Sequence, residues 1–160
     1  MQFSQLDQIV ALEPGRHISA TRLLRAEEDI LEDHFPLLPV LPGVLMLEAC
    51  YQAGMWLMLA DDEFRRPMVM LKAARNVKYS DFVAPGQTLT VSMDVIKRED
   101  AVTSFKAKGT VSGPDKEPAK AFTGRLTLEQ FRLADRYPHR APTDGVLRVE
   151  LRKDFELLRP

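Results

Sequence analysis

The run from Val44 to Ala60 limits the folds open to this chain more than any other stretch, because only Glu48, Gln52 and Gly54 interrupt its apolar character. It lacks the alternation of a half-buried strand and is too long for an ordinary one, so it predicts a helix. At 1.5 Å per residue that helix extends roughly 25 Å. A helix apolar on every side must be covered on every side. The rest of the chain can supply part of that cover and a second subunit the remainder.

The polar residues of the run are as informative as the apolar ones. Glu48 and Gln52 are one helical turn apart and share a face near the start of the helix. A carboxylate placed in apolar surroundings is costly unless it is paired, protonated or used. Just upstream, a loop stiffened by Pro36, Pro39 and Pro42 carries His34 and ends at Gly43. Proline suits a helix start, and glycine lets another group approach the backbone closely. The free N–H groups of the first turn and the positive end of the helix dipole suit a polarised oxygen there. A histidine, a carboxylate and a helix N-terminus in one short stretch are the parts of a proton-transfer site.

With 160 residues the chain is long enough for one domain with a real core. A net charge of −1 argues against nucleic acid as a partner. The single cysteine, Cys50, has no internal disulfide partner, and no Cys and His cluster has zinc spacing, so no metal is expected. The first residues show neither a basic n-region nor an apolar h-region. The Val44–Ala60 run is shorter than the roughly 20 residues of a membrane span and holds a glutamate. The expectation is a cytoplasmic protein without a membrane span.

Two strands meeting at Pro14-Gly15 are expected before the histidine loop, and an acidic stretch, Ala26 to Asp33, leads into it. After the helix, Met68 to Asn76 reads as a strand that continues past a bend through Val83. Thr88 to Lys97, Ala101 to Val111 and Ala119 to Leu128 alternate and are separated by turns, the pattern of an antiparallel meander buried on one face. The expected class is therefore α+β, a strongly curved antiparallel sheet around one long helix. Residues 1–128 form that domain and 129–160 a C-terminal extension. In the extension Leu147, Leu151, Phe155 and Leu158 have helical spacing, whereas Leu147, Val149 and Leu151 also alternate. The expectation is a short helix that packs on the domain or caps a dimer.

His-Phe-Pro-x-x-Pro-x-x-Pro-Gly-Val-Leu-x-x-Glu-Ala, from His34 to Ala49, resembles the β-hydroxyacyl-acyl-carrier-protein dehydratases of fatty-acid synthesis. Flanking stretches are similar too: Asp7 to Gly15 to the family's first strand and turn, and Lys78-Tyr79 with Val83-Ala84-Pro85-Gly86 to its later Pro-Gly segment. The likeness spans about residues 6 to 128. It implies the hotdog fold, in which a curved sheet wraps a long helix. Four departures stand out. Leu37 occupies the usual glycine position after His-Phe-Pro, and Tyr51 a usually small one. The family's Leu-Pro-His-Arg segment is missing before Asp7, and the tail past Leu128 is longer.

The resemblance implies loss of water from a 3-hydroxyacyl thioester to give a trans-2-enoyl thioester. No redox change occurs, so no nicotinamide, flavin or other cofactor is required. His34 would take the C2 proton, since imidazole titrates near working pH. Glu48 would assist departure of the C3 hydroxyl, its pKa raised by burial in the apolar helix. The backbone N–H of Gly43 would polarise the thioester oxygen, and Gln52 would orient Glu48. In the family, the His and Glu of one site come from different subunits, so a homodimer or a trimer of dimers is implied. The implied partner is acyl carrier protein bearing the substrate, drawn by Lys72, Arg75 and Lys78 together with Arg65 and Arg66. His17 and His139 read as structural or solvent-exposed. Two other readings stay open: a hotdog thioesterase, and a non-catalytic hotdog subunit that binds acyl carriers. A dehydratase that also isomerises the double bond is disfavoured, because relatives with that activity carry Asp where this chain has Glu48.

Overall fold

The computed structural model describes Met1 and residues 3–160. Its six strands are β1 (Gln8–Glu13), β2 (His17–Leu23), β3 (Met68–Tyr79), β4 (Thr88–Glu99), β5 (Val102–Gly113) and β6 (Lys116–Phe131). They form one sheet in the order β1-β2-β4-β5-β6-β3 with every pairing antiparallel. The expected hairpin at Pro14-Gly15 is present, and the meander β4-β5-β6 follows its alternation. Leu89, Val91 and Met93 on β4 point into the core with Phe105, Ala107 and Val111 on β5 and Phe122, Leu126 and Leu128 on β6.

Between β2 and β3 lie a single-turn helix α1 (Ile30–Asp33) and the long helix α2 (Gly43–Asp61). By length and composition alone α2 could cross a membrane, but it packs against β2, β3, β4, β5 and β6, so the sheet must curl around it. Gly54 is what allows the close fit. A Cβ there would stand 2.9 Å from the Met93 Cε and 3.3 Å from the Leu128 Cδ2. From Ala49 to Leu59 the helix is buried except at Tyr51, whereas Val44 is 63% exposed and Leu45, Leu47 and Glu48 are half-buried. One chain therefore covers the later turns of α2 and leaves the first two partly open.

Two elements differ from expectation. β3 bends near Asn76 as expected but ends at Tyr79 rather than Val83, its register against β6 slipping between Leu71 and Ala73 and again between Arg75 and Lys78. Asn76, at φ 54°, turns the backbone inside that second irregularity. The tail forms a helix of four residues, α3 (Leu133–Arg136), a 3-10 turn at Pro138–Arg140, and a helix of 18 residues, α4 (Ala141–Leu158). α4 is much longer than the short helix expected. Pro142 does not oppose it, because proline is tolerated in the first turn of a helix. Helical spacing prevails over alternation because Phe155 and Leu158 reach the main core while Val149 stays exposed.

Candidate active site

His34 terminates α1 and opens the proline loop. The next residue, Phe35, has φ 48°, a left-handed conformation uncommon outside glycine, and its ring lies 4.5 Å from the imidazole. The loop closes on itself through Leu38 N–H donating to the Phe35 carbonyl at 2.8 Å. Its far end is pinned by Leu41 N–H donating to the Val83 carbonyl at 2.8 Å. The loop is thereby closed by an internal turn and anchored at its far end to the segment before β4. Leu37, the departure from the family's glycine, projects fully into solvent.

The loop delivers the chain to Pro42, which caps α2, and Gly43, its first residue. His34 and Gly43 line one cavity of about 600 Å³, together with Phe35, Val44, Tyr79 and Phe82. The walls are mainly apolar and aromatic, which suits an acyl chain more than a charged ligand. Gly43 lets the Tyr79 ring close on the helix start: a Cβ would lie 2.9 Å from that ring. The first-turn N–H groups of an α-helix have no intrahelical partner, so the cavity has hydrogen-bond donors and the positive end of the α2 dipole at one edge.

Glu48 is held apart from this group. Among the described residues that line the cavity, Glu48 does not figure. Gln52 Nε2 donates to Glu48 Oε1 at 2.9 Å and also to the Phe3 carbonyl at 2.9 Å. Gln52 Oε1 accepts the Gln5 backbone N–H at 2.8 Å. The amide of Gln52 is 1% exposed and fully engaged, so it presents a fixed donor to Glu48. Tyr51 packs beside it, its hydroxyl donating to the Val69 carbonyl at 2.5 Å. Burial, with the nearby Glu48 carboxylate second, raises the Tyr51 phenol above its ordinary pKa. Glu48 itself is half-buried in one chain, less enclosed than its apolar neighbours in sequence suggest.

One chain thus brings His34 and Gly43 together, joins Gln52 to Glu48, and keeps the two groups separate. The tether from Gln52 to the 3–5 segment was not legible in the sequence, since no pattern joins Gln5 or Phe3 to a helix so far along the chain. The basic residues separate as well. Lys72, Arg75 and Lys78 are exposed on β3. Arg66 is instead paired with Asp62 at 3.0 Å, and Arg65 Nε donates to the Asp62 carbonyl, at the far end of α2. They line a second cavity of about 480 Å³ with Asp62, Arg132, Asp135 and Arg148, walled by charged side chains. His17 is bound to Asp94 at 2.7 Å, and His139 lies beside Tyr137 in the tail. Cys50 is fully buried, and burial pushes its thiol far up, so it is no nucleophile. Among the described residues no group of three or more His, Cys, Asp or Glu is arranged to hold a metal.

Comparison with known proteins adds to this geometry. Residues 1–120 match the family described as FabA-like domain. Over 123 residues the chain is 34% identical to a 3-hydroxyacyl-[acyl-carrier-protein] dehydratase FabZ from Latilactobacillus sakei subsp. sakei (strain 23K), covering 77% of this chain and 84% of that protein. The FabZ of Oenococcus oeni (strain ATCC BAA-331 / PSU-1) is 35% identical over 108 residues, covering 68% of this chain and 78% of its own. Among solved structures, the dehydratase heterocomplex ApeI:P from Xenorhabdus doucetiae matches with a TM-score of 0.59 at 23% identity, over 79% of this chain and 82% of that one. A mutant (Q49A) of thioesterase PA1618 from Pseudomonas aeruginosa matches with a TM-score of 0.57 at 15% identity, over 77% and 79%. At such identities the two structures speak for the fold alone.

Proposed function

The chain belongs to the FabA-like family and has the hotdog fold, and from that premise we propose that His34 and Glu48 are the acid–base pair of its reaction. That reaction is the dehydration of 3-hydroxyacyl chains carried on acyl carrier protein, a step of fatty-acid synthesis. The observation that supports the pair best is the shared cavity of His34 and the Gly43 end of α2. His34 takes the proton from C2. The electrons of that C–H bond form the C2–C3 double bond, and the C3–O bond breaks. Glu48 hands a proton to the departing hydroxyl, which leaves as water. Charge that builds on the thioester oxygen during the first step is met by the Gly43 N–H and the start of α2. Gln52 holds the Glu48 carboxyl in one orientation.

Since Glu48 does not line the cavity of its own chain's His34, the proposed site takes Glu48 from a second copy. The sheet offers a place for that copy. β3 is an edge strand with Met70, Val77 and Tyr79 exposed, and Val44 at the open start of α2 is exposed too. Apolar side chains on a long free edge call for cover. The proposed unit is a homodimer, and a trimer of dimers is the larger assembly to look for by mass. Lys72, Arg75 and Lys78 along β3 are the proposed contact for the acidic carrier protein. The proposed compartment is the cytoplasm, and residues 1–128 and 129–160 are the proposed domain and extension, β6 running on into the extension as far as Phe131.

The test is incubation with 3-hydroxyacyl-carrier protein of several chain lengths, followed by mass. Loss of one water is expected. Release of free acid would move the assignment to a thioesterase, and binding without turnover at every length to a non-catalytic subunit. Gly43→Ala probes the helix start. The new methyl must displace the Tyr79 ring from the cavity wall, so kcat/KM should drop at least about tenfold with folding intact. An unchanged kcat/KM would remove the Gly43 end of α2 from the mechanism.

A further inference from the structure

We propose that Gln5 and Arg22 are positioning residues that tie the carriers of Glu48 and His34 into one brace, an inference that rests on the roles given to that pair above. The links are continuous. Glu48 Oε1 accepts from Gln52 Nε2 at 2.9 Å, and Gln52 Oε1 accepts the Gln5 N–H at 2.8 Å. The Gln5 side chain then reaches the other way, its Oε1 accepting from Arg22 Nε at 3.1 Å. Arg22 Nη2 donates to Glu28 Oε2 at 2.7 Å. Glu28 shapes the turn into α1: its Oε1 accepts the Arg25 N–H at 3.0 Å and its carbonyl accepts the Leu31 N–H at 3.0 Å. The residue that ends α1 is His34.

Burial makes these links matter. Gln52, Gln5 and Arg22 are 1%, 6% and 7% exposed. A buried guanidinium is tolerated only when its charge is paired and its N–H groups are used, and here the planar fork of Arg22 serves Glu28 and Gln5 at once. Removing either side chain leaves its buried partner, Arg22 Nε or Gln5 Oε1, without that bond, and cuts the side-chain half of the brace while the backbone link from Gln5 to Gln52 remains. The two ends of the brace lie on either side of the proline loop, and in the proposed dimer they belong to different sites. The brace of each chain therefore spans the two sites, and its loss degrades both.

Three variants test this. Gln5→Leu and Arg22→Met should each lower kcat about tenfold, because a misplacement of even 1 Å is costly in an oriented site. KM should stay within about twofold, since substrate contacts are untouched. Arg22→Lys keeps the charge opposite Glu28 but lacks the fork, so it should restore the melting temperature and leave kcat low. Amide hydrogen exchange supplies a readout independent of turnover: Gln5→Leu should speed exchange over residues 29–41, distant from position 5 in sequence. Lower melting temperatures with unchanged kcat, or recovery of kcat in Arg22→Lys, would overturn the positioning role. If wild type shows no turnover while exchange in the loop still responds to Gln5→Leu, the assigned reaction fails and the brace stands.

Discussion

A His34→Ala chain and a Glu48→Gln chain, each nearly inactive as a homodimer, should regain turnover when paired in one dimer. Removing a positioned general acid or base costs about 10²–10⁴ in rate, so each homodimer should fall into that range. In the single chain, His34 and Gly43 line the cavity and Glu48 does not. If the second copy supplies Glu48, a mixed dimer holds one site with both groups missing and one site with both intact. Purified through two different tags, it should work at about half the wild-type rate, as two-fold symmetry requires. A mixed dimer no better than its parents would mean that each site draws both groups from one chain. The dimer built on the β3 edge would then lose its catalytic rationale. The mixing experiment is stronger than either substitution alone, because a misfolded variant cannot rescue another.

What could be read from the sequence follows from how local each signal is. The His34–Ala49 stretch was legible because its geometry is set within a few residues: prolines stiffen the loop, glycine opens the helix start, and Glu48 and Gln52 share a face one turn apart. Their hydrogen bond at 2.9 Å is the outcome. The meander was legible for the same reason, since alternation and turns are properties of neighbours in the chain. The partners of Gln52 were not, because Gln5 and Phe3 come from 47 and 49 residues away and carry no pattern of their own. Charge proximity in sequence also misled. Arg65 and Arg66 stand near Lys72 in the chain, yet both turn to Asp62, Arg66 to its carboxylate and Arg65 to its backbone carbonyl, rather than lying on β3. The exposure of Val44 and the half-burial of Glu48 show the limit on helix cover. An all-apolar run states that cover is needed, not which chain provides it. In the tail, alternation and helical spacing competed over Leu147 to Leu151, and only the reach of Phe155 and Leu158 into the core decides between them.

Phe155→Ala should cost about 3–5 kcal/mol of stability, the usual range for deleting a buried aromatic ring, while leaving kcat nearly unchanged. Phe155 is 6% exposed, with its ring 5.8 Å from that of Trp56 on α2 and 5.6 Å from that of Phe64 just beyond it. The ring anchors α4 to the C-terminal end of α2, where the chain is demanding to hold: Glu63 and Phe64 have φ of 56° and 62°. α4 also serves the polar groups of that turn. Arg148 donates from Nε to the Phe64 carbonyl at 3.0 Å and from Nη2 to the Arg65 carbonyl at 3.2 Å, and Arg152 Nη2 donates to the Glu63 carbonyl at 2.8 Å. A detached appendage would make no such contacts, so the 129–160 segment should be part of the cooperative unit. Equilibrium denaturation gives the free energy directly, and the melting temperature should fall by roughly 6–20 °C, given about 2–4 °C per kcal/mol for a chain of this size. Truncation before Ala141 should cost more than Phe155→Ala, because it removes the arginine contacts as well as the ring. Turnover below the melting temperature should survive Phe155→Ala, since His34 and Gly43 lie at the opposite end of α2. A loss below about 1 kcal/mol would place Phe155 among ordinary surface positions and make the tail separable from the fold. Full stability loss accompanied by a collapse of kcat would instead show that α2 transmits disorder along its whole length to the site.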